Sequence, residues 1–201
     1  RVELNVMGEL IAVGTATDSI VFTSSASSPA AADWYGIVKL GQDRVFLRYC
    51  RGEYYKRFIF FSNYTGGTND TDYNWATADS NRVEHCLIRH GSDAAIWATG
   101  SYYGFYYVKD NTFHETPLVH ASISAKDIVV QNNTATDVFL YGLYIESILE
   151  YSNNDDFTGD TLHALIDNNT IEFNPDRNNG GSGITVYHRN QNFYNPNYVR
   201  K

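Results

Sequence analysis

The sequence has no run of about 18 apolar residues, so nothing in it reads as a membrane-crossing helix. It also lacks a sustained 3.6-residue hydrophobic period, which leaves helix at most a short excursion. Positive charge is scarce. Fifteen Lys and Arg face 23 Asp and Glu, for a formal charge of −8 and a pI near 5.1. That balance argues against nonspecific binding to nucleic acid and against an anionic membrane surface. There is no Gly-x-Ser-x-Gly nucleophile motif and no phosphate loop. No signal peptide is visible and the chain opens on Arg1, so the expectation is a processed N-terminus or a piece of a longer chain. The two cysteines have no matched His pair, which makes a poor zinc site.

What is present is globular. At 43% hydrophobic and 19% charged residues the chain is not disordered, and 201 residues suit one domain with a sizeable core. A tetrad recurs: one aliphatic residue, two variable residues, then Cys or Asn. It reads Leu47-Arg48-Tyr49-Cys50, Val83-Glu84-His85-Cys86, Val108-Lys109-Asp110-Asn111, Val130-Gln131-Asn132-Asn133 and Ile166-Asp167-Asn168-Asn169. By subtraction of residue numbers, the fourth positions are 36, 25, 22 and 36 apart. Repeats of that length point to a solenoid or array.

Around the tetrads lie short apolar, partly β-branched runs broken by Gly, Asn, Asp and Ser, the pattern of short strands and tight bends. Val2 to Val6, Gly8 to Thr15 and Ile20 to Thr23 open the chain. After each tetrad comes a second apolar run, such as Phe58-Ile59-Phe60-Phe61 and Ala94-Ala95-Ile96-Trp97. Two polar insertions, about 62–80 and 151–160, account for the two long steps. Loops leaving a regular scaffold are common homes for function. The tail from Gln191 to Lys201 reads as the start of one more rung.

Stacked coils would place like positions about 4.8 Å apart. An Asn at an inward bend can then bond the backbone and the Asn above and below, pairing polar groups that the bend would strand. Cys50, Cys86, Asn111, Asn133 and Asn169 are therefore expected to form a structural ladder in an all-β, parallel β-helix solenoid of one domain, 1–201. Gly8-Glu9-Leu10-Ile11-Ala12-Val13-Gly14-Thr15, Ile20-Val21-Phe22-Thr23-Ser24 and Asp33-Trp34-Tyr35-Gly36-Ile37 resemble a module of right-handed parallel β-helix proteins of bacterial and archaeal cell surfaces. The ladder resembles that of the pectate-lyase-like superfamily. The resemblance implies an extracellular or cell-surface location and a right-handed β-helix. It leaves activity open, because the fold hosts lyases, hydrolases, adhesins and structural proteins.

Cys50 and Cys86 hold the ladder position of successive coils, close enough for a disulfide in an exported protein, or for a pair of buried thiols. Asn63, Asn69, Asn132 and Asn168 begin Asn-x-Ser/Thr sequons and are glycosylation candidates. Asp155, Asp156 and Asp160 in one loop, and Asp70 and Asp72 in the other, are calcium candidates or plain solvated turns. The middle tetrad positions should face solvent, giving a column of His85, Asp110, Asn132 and Asn168 with Glu84 and Asp167 beside it. That column is a sugar groove or an ordinary polar face. The Arg- and Asp-bearing strings that serve polysaccharide lyases of this fold are not recognisable. No catalytic residue is assigned, and no cofactor is called for beyond calcium. The expected role is a structural, self-associating protein of a filament, sheath or surface layer, or an adhesin among neighbouring surface domains. The alternative is a carbohydrate-active enzyme, either lyase or glycoside hydrolase, or a carbohydrate-binding module. Solenoid ends need caps, and none is evident here.

Overall fold

The computed structural model describes residues 2–40, 44–62, 81–99, 105–123, 127–149, 163–177 and 181–190. Within them the chain is all β, no helix occurs, and every strand pairing is parallel. Parallel strands need crossovers, and here the crossovers are themselves strands, because the chain visits three faces in rotation. The first face is a six-stranded sheet: β2 (Leu10–Val13), β5 (Val45–Arg48), β8 (Asn81–Glu84), β11 (Phe105–Lys109), β13 (Asp127–Gln131) and β15 (His163–Asp167). The other two faces belong to one curled eleven-stranded sheet. One limb holds β3 (Ile20–Phe22), β6 (Cys50–Glu53), β9 (Leu87–Arg89) and β16 (Thr170–Phe173). The other holds β1 (Leu4–Val6), β4 (Ile37–Lys39), β7 (Arg57–Ser62), β10 (Ala94–Thr99) and β17 (Ser182–Asn190).

Two long strands, β12 (Thr112–Ile123) and β14 (Thr134–Leu149), join the limbs. The first part of β12 pairs β9 and its second part pairs β10, with a register shift between Thr116 and Leu118. Pro117 sits at that shift. Proline has no ladder donor and belongs at such irregularities. In the earlier coils the same corner is a break between two short strands.

The register explains the tetrad spacing. On the first face Ala12 pairs Leu47, Leu47 pairs Val83, Val83 pairs Val108, Val108 pairs Val130 and Val130 pairs Ile166. These aliphatic first positions form one column. Leu47, Val83, Val108 and Val130 are buried to 2% exposure or less. Full burial of such a side chain is worth about 1.5–3 kcal/mol, so the column favours this register over a one-residue slip that would turn it outward.

An aromatic group closes the first coils. Phe58 meets Phe22, Trp34 and Tyr55 in edge or tilted contacts at 5.6–6.3 Å. Its ring fills the space that a side chain at Gly52 would take, since a Cβ there would lie 2.3 Å from it. Trp34 Nε1 donates to Glu53 O at 2.7 Å. Gly36 crosses so close to Arg57 that a Cβ would sit 1.6 Å from its carbonyl oxygen, and its φ is +132°. The Asp-Trp-x-Gly segment is thus a fixed crossing of backbone over backbone. Asp33 anchors its start by accepting from Ser24 Oγ at 2.6 Å and from Ala30 N–H at 3.0 Å. The Ser24 bond, then the Ala30 bond, hold its carboxyl below the usual value.

Candidate functional site

Two columns of corner residues run along the stack. The first lies between the six-stranded sheet and the β3 limb, at the third tetrad position. Tyr49, His85, Asp110, Asn132 and Asn168 all take the left-handed backbone, with φ between 50° and 57°. That conformation turns the chain sharply enough for the next residue, Cys or Asn, to point into the core. Asn and Asp tolerate it best.

The fourth positions form a continuous chain of bonds. Asn111 Nδ2 donates to Asn133 Oδ1 at 3.0 Å, and Asn133 Nδ2 donates to Asn169 Oδ1 at 2.8 Å. Each side-chain oxygen also accepts the backbone N–H of the preceding coil: Cys86 N to Asn111, Asn111 N to Asn133, Asn133 N to Asn169, at 2.9–3.0 Å. Each amide further donates to the aliphatic position of the preceding coil, Val83 O, Val108 O and Val130 O in turn, at 2.8 Å. The two thiols use the same acceptor column. Cys50 Sγ reaches Ala12 O at 3.3 Å and Cys86 Sγ reaches Leu47 O at 3.7 Å. A Cys therefore does one part of the Asn's work, donating to the carbonyl column without offering an oxygen to the neighbouring N–H.

Both thiols are free and buried. Donation from Cys86 holds the Cys50 thiol below its usual value against the effect of burial. The same contact, with burial, pushes Cys86 up.

On the outer side of this corner the sequence-derived column is contiguous. Tyr49 stacks on His85 at 4.9 Å. His85 Nε2 lies 3.9 Å from Asp110 Oδ2. Asn132 Nδ2 donates to Asp110 Oδ1 at 3.1 Å, and Asn168 Nδ2 to Asn132 Oδ1 at 2.9 Å. Asp167 accepts from Gln131 Nε2 at 2.9 Å, while Glu84 pairs with Arg82 at 3.6 Å. The sequon residues Asn132 and Asn168 are exposed, with the amide nitrogen that a glycan would occupy engaged inside the column. Among the aromatic side chains, Tyr106 is buried, Tyr107 lies under Arg82 at 4.8 Å, and Trp97 lies under Arg57 at 4.3 Å. Asn63, Asn69, Asp70, Asp72, Trp75, Tyr102, Tyr103, Asp155, Asp156 and Asp160 lie outside the described residues, as do both insertions beyond Ser62.

The second column has no counterpart in the sequence reading. Tyr54, His90, Glu115 and Asp137 sit at the corner between the two limbs of the curled sheet, and all have φ between 50° and 60°. Each follows its first-corner partner by five residues, an offset that would have revealed the column. Tyr54 stacks on His90 at 5.0 Å, and His90 Nδ1 lies 2.6 Å from Glu115 Oε2. Arg177 reaches Glu115 Oε1 at 3.4 Å and covers the Phe139 ring at 5.4 Å. Asn174 Nδ2 donates to Asp137 Oδ1. Beside the column a cleft of about 480 Å³ is lined by Ala30, Tyr54, His90, Glu115, Phe139 and Arg177, among others. It offers a cation, an imidazole, a carboxylate and two aromatic faces. These groups can bind a polar ligand. No nucleophile with an activating base stands among the described residues of the cleft.

No known protein family, curated protein or solved structure matches this chain. What it does has to be argued from its own geometry.

Proposed function

We propose that the chain is a right-handed parallel β-helix that works as an exported structural unit, stacking end to end into a filament or sheath at the cell surface. One observation carries this reading. All three faces end in a free strand edge at each end of the stack, among the described residues: β1, β2 and β3 at one end, β15, β16 and β17 at the other. At the first end the core is uncovered. Leu4 and Ile20, which pair with buried Ile37 and Cys50 and so face inward, are 40% and 37% exposed. At the other end Ile184, which pairs with buried Leu143, is about half exposed. Edges of this kind template pairing with another chain. All strands run parallel, so one end of a copy matches the opposite end of the next. Such a heterologous contact does not close and propagates as a filament. The occupant is taken to be a second copy, and the Asn and Cys column is taken to be scaffold.

Sedimentation of the wild-type chain beside a Leu4→Lys/Ile20→Lys variant tests this. Both positions are already exposed, so the single folded chain should tolerate lysine. A charge at an open edge should block pairing. Concentration-dependent growth in wild type and its loss in the variant is expected. A wild-type chain that stays monomeric at all concentrations would contradict stacking between copies and leave a neighbouring segment of a longer chain as the cover.

A second reading, carbohydrate binding, is favoured by the cleft at the second corner. Arg177 and His90 suit an acidic sugar, and Phe139 and Tyr54 offer ring faces. Titration with oligouronates should then show binding that Arg177→Ala removes.

A further inference from the structure

The second corner gathers donors that turning the chain does not require. His114 and Glu115 are sequence neighbours, and a regular strand would send them to opposite sides. Glu115 has φ 50°, which breaks the alternation and brings both to the outer corner. Asp137 is the corner residue of the next coil, where Thr112 and His114 pair with Thr134 and Thr136. The result is that one imidazole nitrogen and one oxygen from each of Glu115 and Asp137 lie within 4.8 Å of one another, with all three residues half-buried.

Two carboxylates held this close repel unless a cation offsets them. Glu115 has Arg177 and His90 beside it, but the partner of Asp137 is the neutral amide of Asn174. His114 Nδ1 is engaged by Thr136 Oγ1 at 3.0 Å, an outer bond of the kind that orients a ligating imidazole and leaves the other nitrogen free. One nitrogen and two carboxylate oxygens form a mixed set. It suits Zn²⁺ or Mn²⁺ better than Ca²⁺, which takes six to eight oxygens, or Cu⁺, which favours sulfur.

We propose that His114, Glu115 and Asp137 bind one divalent transition-metal ion, with Zn²⁺ the best fit and His90 as a positioning residue for Glu115. Three protein donors leave a fourth position open to water or to an outside oxygen ligand. Glu115 also lines the cleft, so a ligand held by Arg177 could approach the ion. The site clamps two adjacent coils and is independent of the end-to-end stacking argued above.

Isothermal titration of the full chain with Zn²⁺ alone, in a non-chelating buffer, is the test. One ion per chain is expected. Asp137→Asn is close to isosteric and keeps a side chain that tolerates the left-handed backbone. It should weaken binding tenfold or more, and so should His114→Gln. Asp110→Asn, at the other corner, should leave the affinity unchanged. Saturating Zn²⁺ should raise the unfolding temperature of wild type and not that of Asp137→Asn. The thermal shift keeps the test informative where one variant folds poorly. No binding by the wild-type chain, or binding unchanged in both variants, would overturn the site. Tighter binding of Ca²⁺ than of Zn²⁺ would overturn the donor assignment.

Discussion

At the scale of single residues, Asn133 sits at the middle of the bonded column and is the point where it should break. Its oxygen accepts from Asn111 Nδ2 and from Asn111 N–H, and its amide donates to Val108 O. Asn133→Ala removes these three bonds and the one to Asn169 Oδ1, and takes the side-chain partner from buried Asn111 N–H and Val108 O. At about 1–3 kcal/mol for each unpaired group, partly relieved by relaxation, a loss of about 4 kcal/mol is expected in urea unfolding. Asn133→Cys should cost less, because a thiol keeps the bond to the carbonyl column as Cys50 does. A change below about 1 kcal/mol for the alanine would mean that the column is not structural. The thiols are 1% and 2% exposed and should label slowly in the folded chain and quickly in denaturant. Fast labelling without denaturant would contradict their placement. Glu53 gives a pH signature. Burial opposes its charge, but Arg89 at 2.8 Å, Arg51 and Thr23 outweigh burial and hold its carboxyl below the usual 4.5. A depressed folded-state value means that the stabilisation is fully present above about pH 4.5 and is lost as pH falls through the folded value. Glu53→Gln should therefore be less stable than wild type at pH 7 and should lose less on acidification, as read from urea midpoints at pH 7 and pH 3. The first-corner column was legible in the sequence because aliphatic-x-x-Asn/Cys repeats a chemical need in one place. The second was harder to see, because Tyr54, His90, Glu115 and Asp137 differ in type and only their constant offset of five residues from the first corner marks them.

At the scale of elements, strand existence was readable and strand ends were not. Runs such as Val45–Arg48 and Asp127–Gln131 are short, apolar and closed by polar residues, and that composition marks them. The merging of two strands into β12 and β14 leaves no such mark. The chain there turns its corner while keeping its ladder bonds, so the residues at the bend look like strand on either side. Gly36 is the element-scale position of least tolerance. Its left-handed-side φ and the Arg57 carbonyl 1.6 Å from an added Cβ leave no cheap movement, since the obstacle is backbone. Gly36→Ala should cost at least about 2 kcal/mol in chemical denaturation. Gly52→Ala meets a ring rather than backbone and should also destabilise, through displacement of Phe58 from its aromatic group. A Gly36→Ala chain as stable as wild type would show that the crossing over Arg57 is not as close as described.

At the scale of the whole molecule, the parallel, all-β character follows from the repeat and its register. What the repeat cannot carry is the fate of the ends, because coil-to-coil bonding is the same physics whether the next coil belongs to this chain or to another. The uncovered Leu4 and Ile20 and the six free edges among the described residues make end-to-end growth the central claim. Electron microscopy of undissociated native material tests it most directly. The expected result is unbranched filaments with an axial repeat of about 29–34 Å, set by six or seven strands at about 4.8 Å on each face. The Leu4→Lys/Ile20→Lys chain should show none. Isolated short rods of one length, the same for both chains, would contradict the claim.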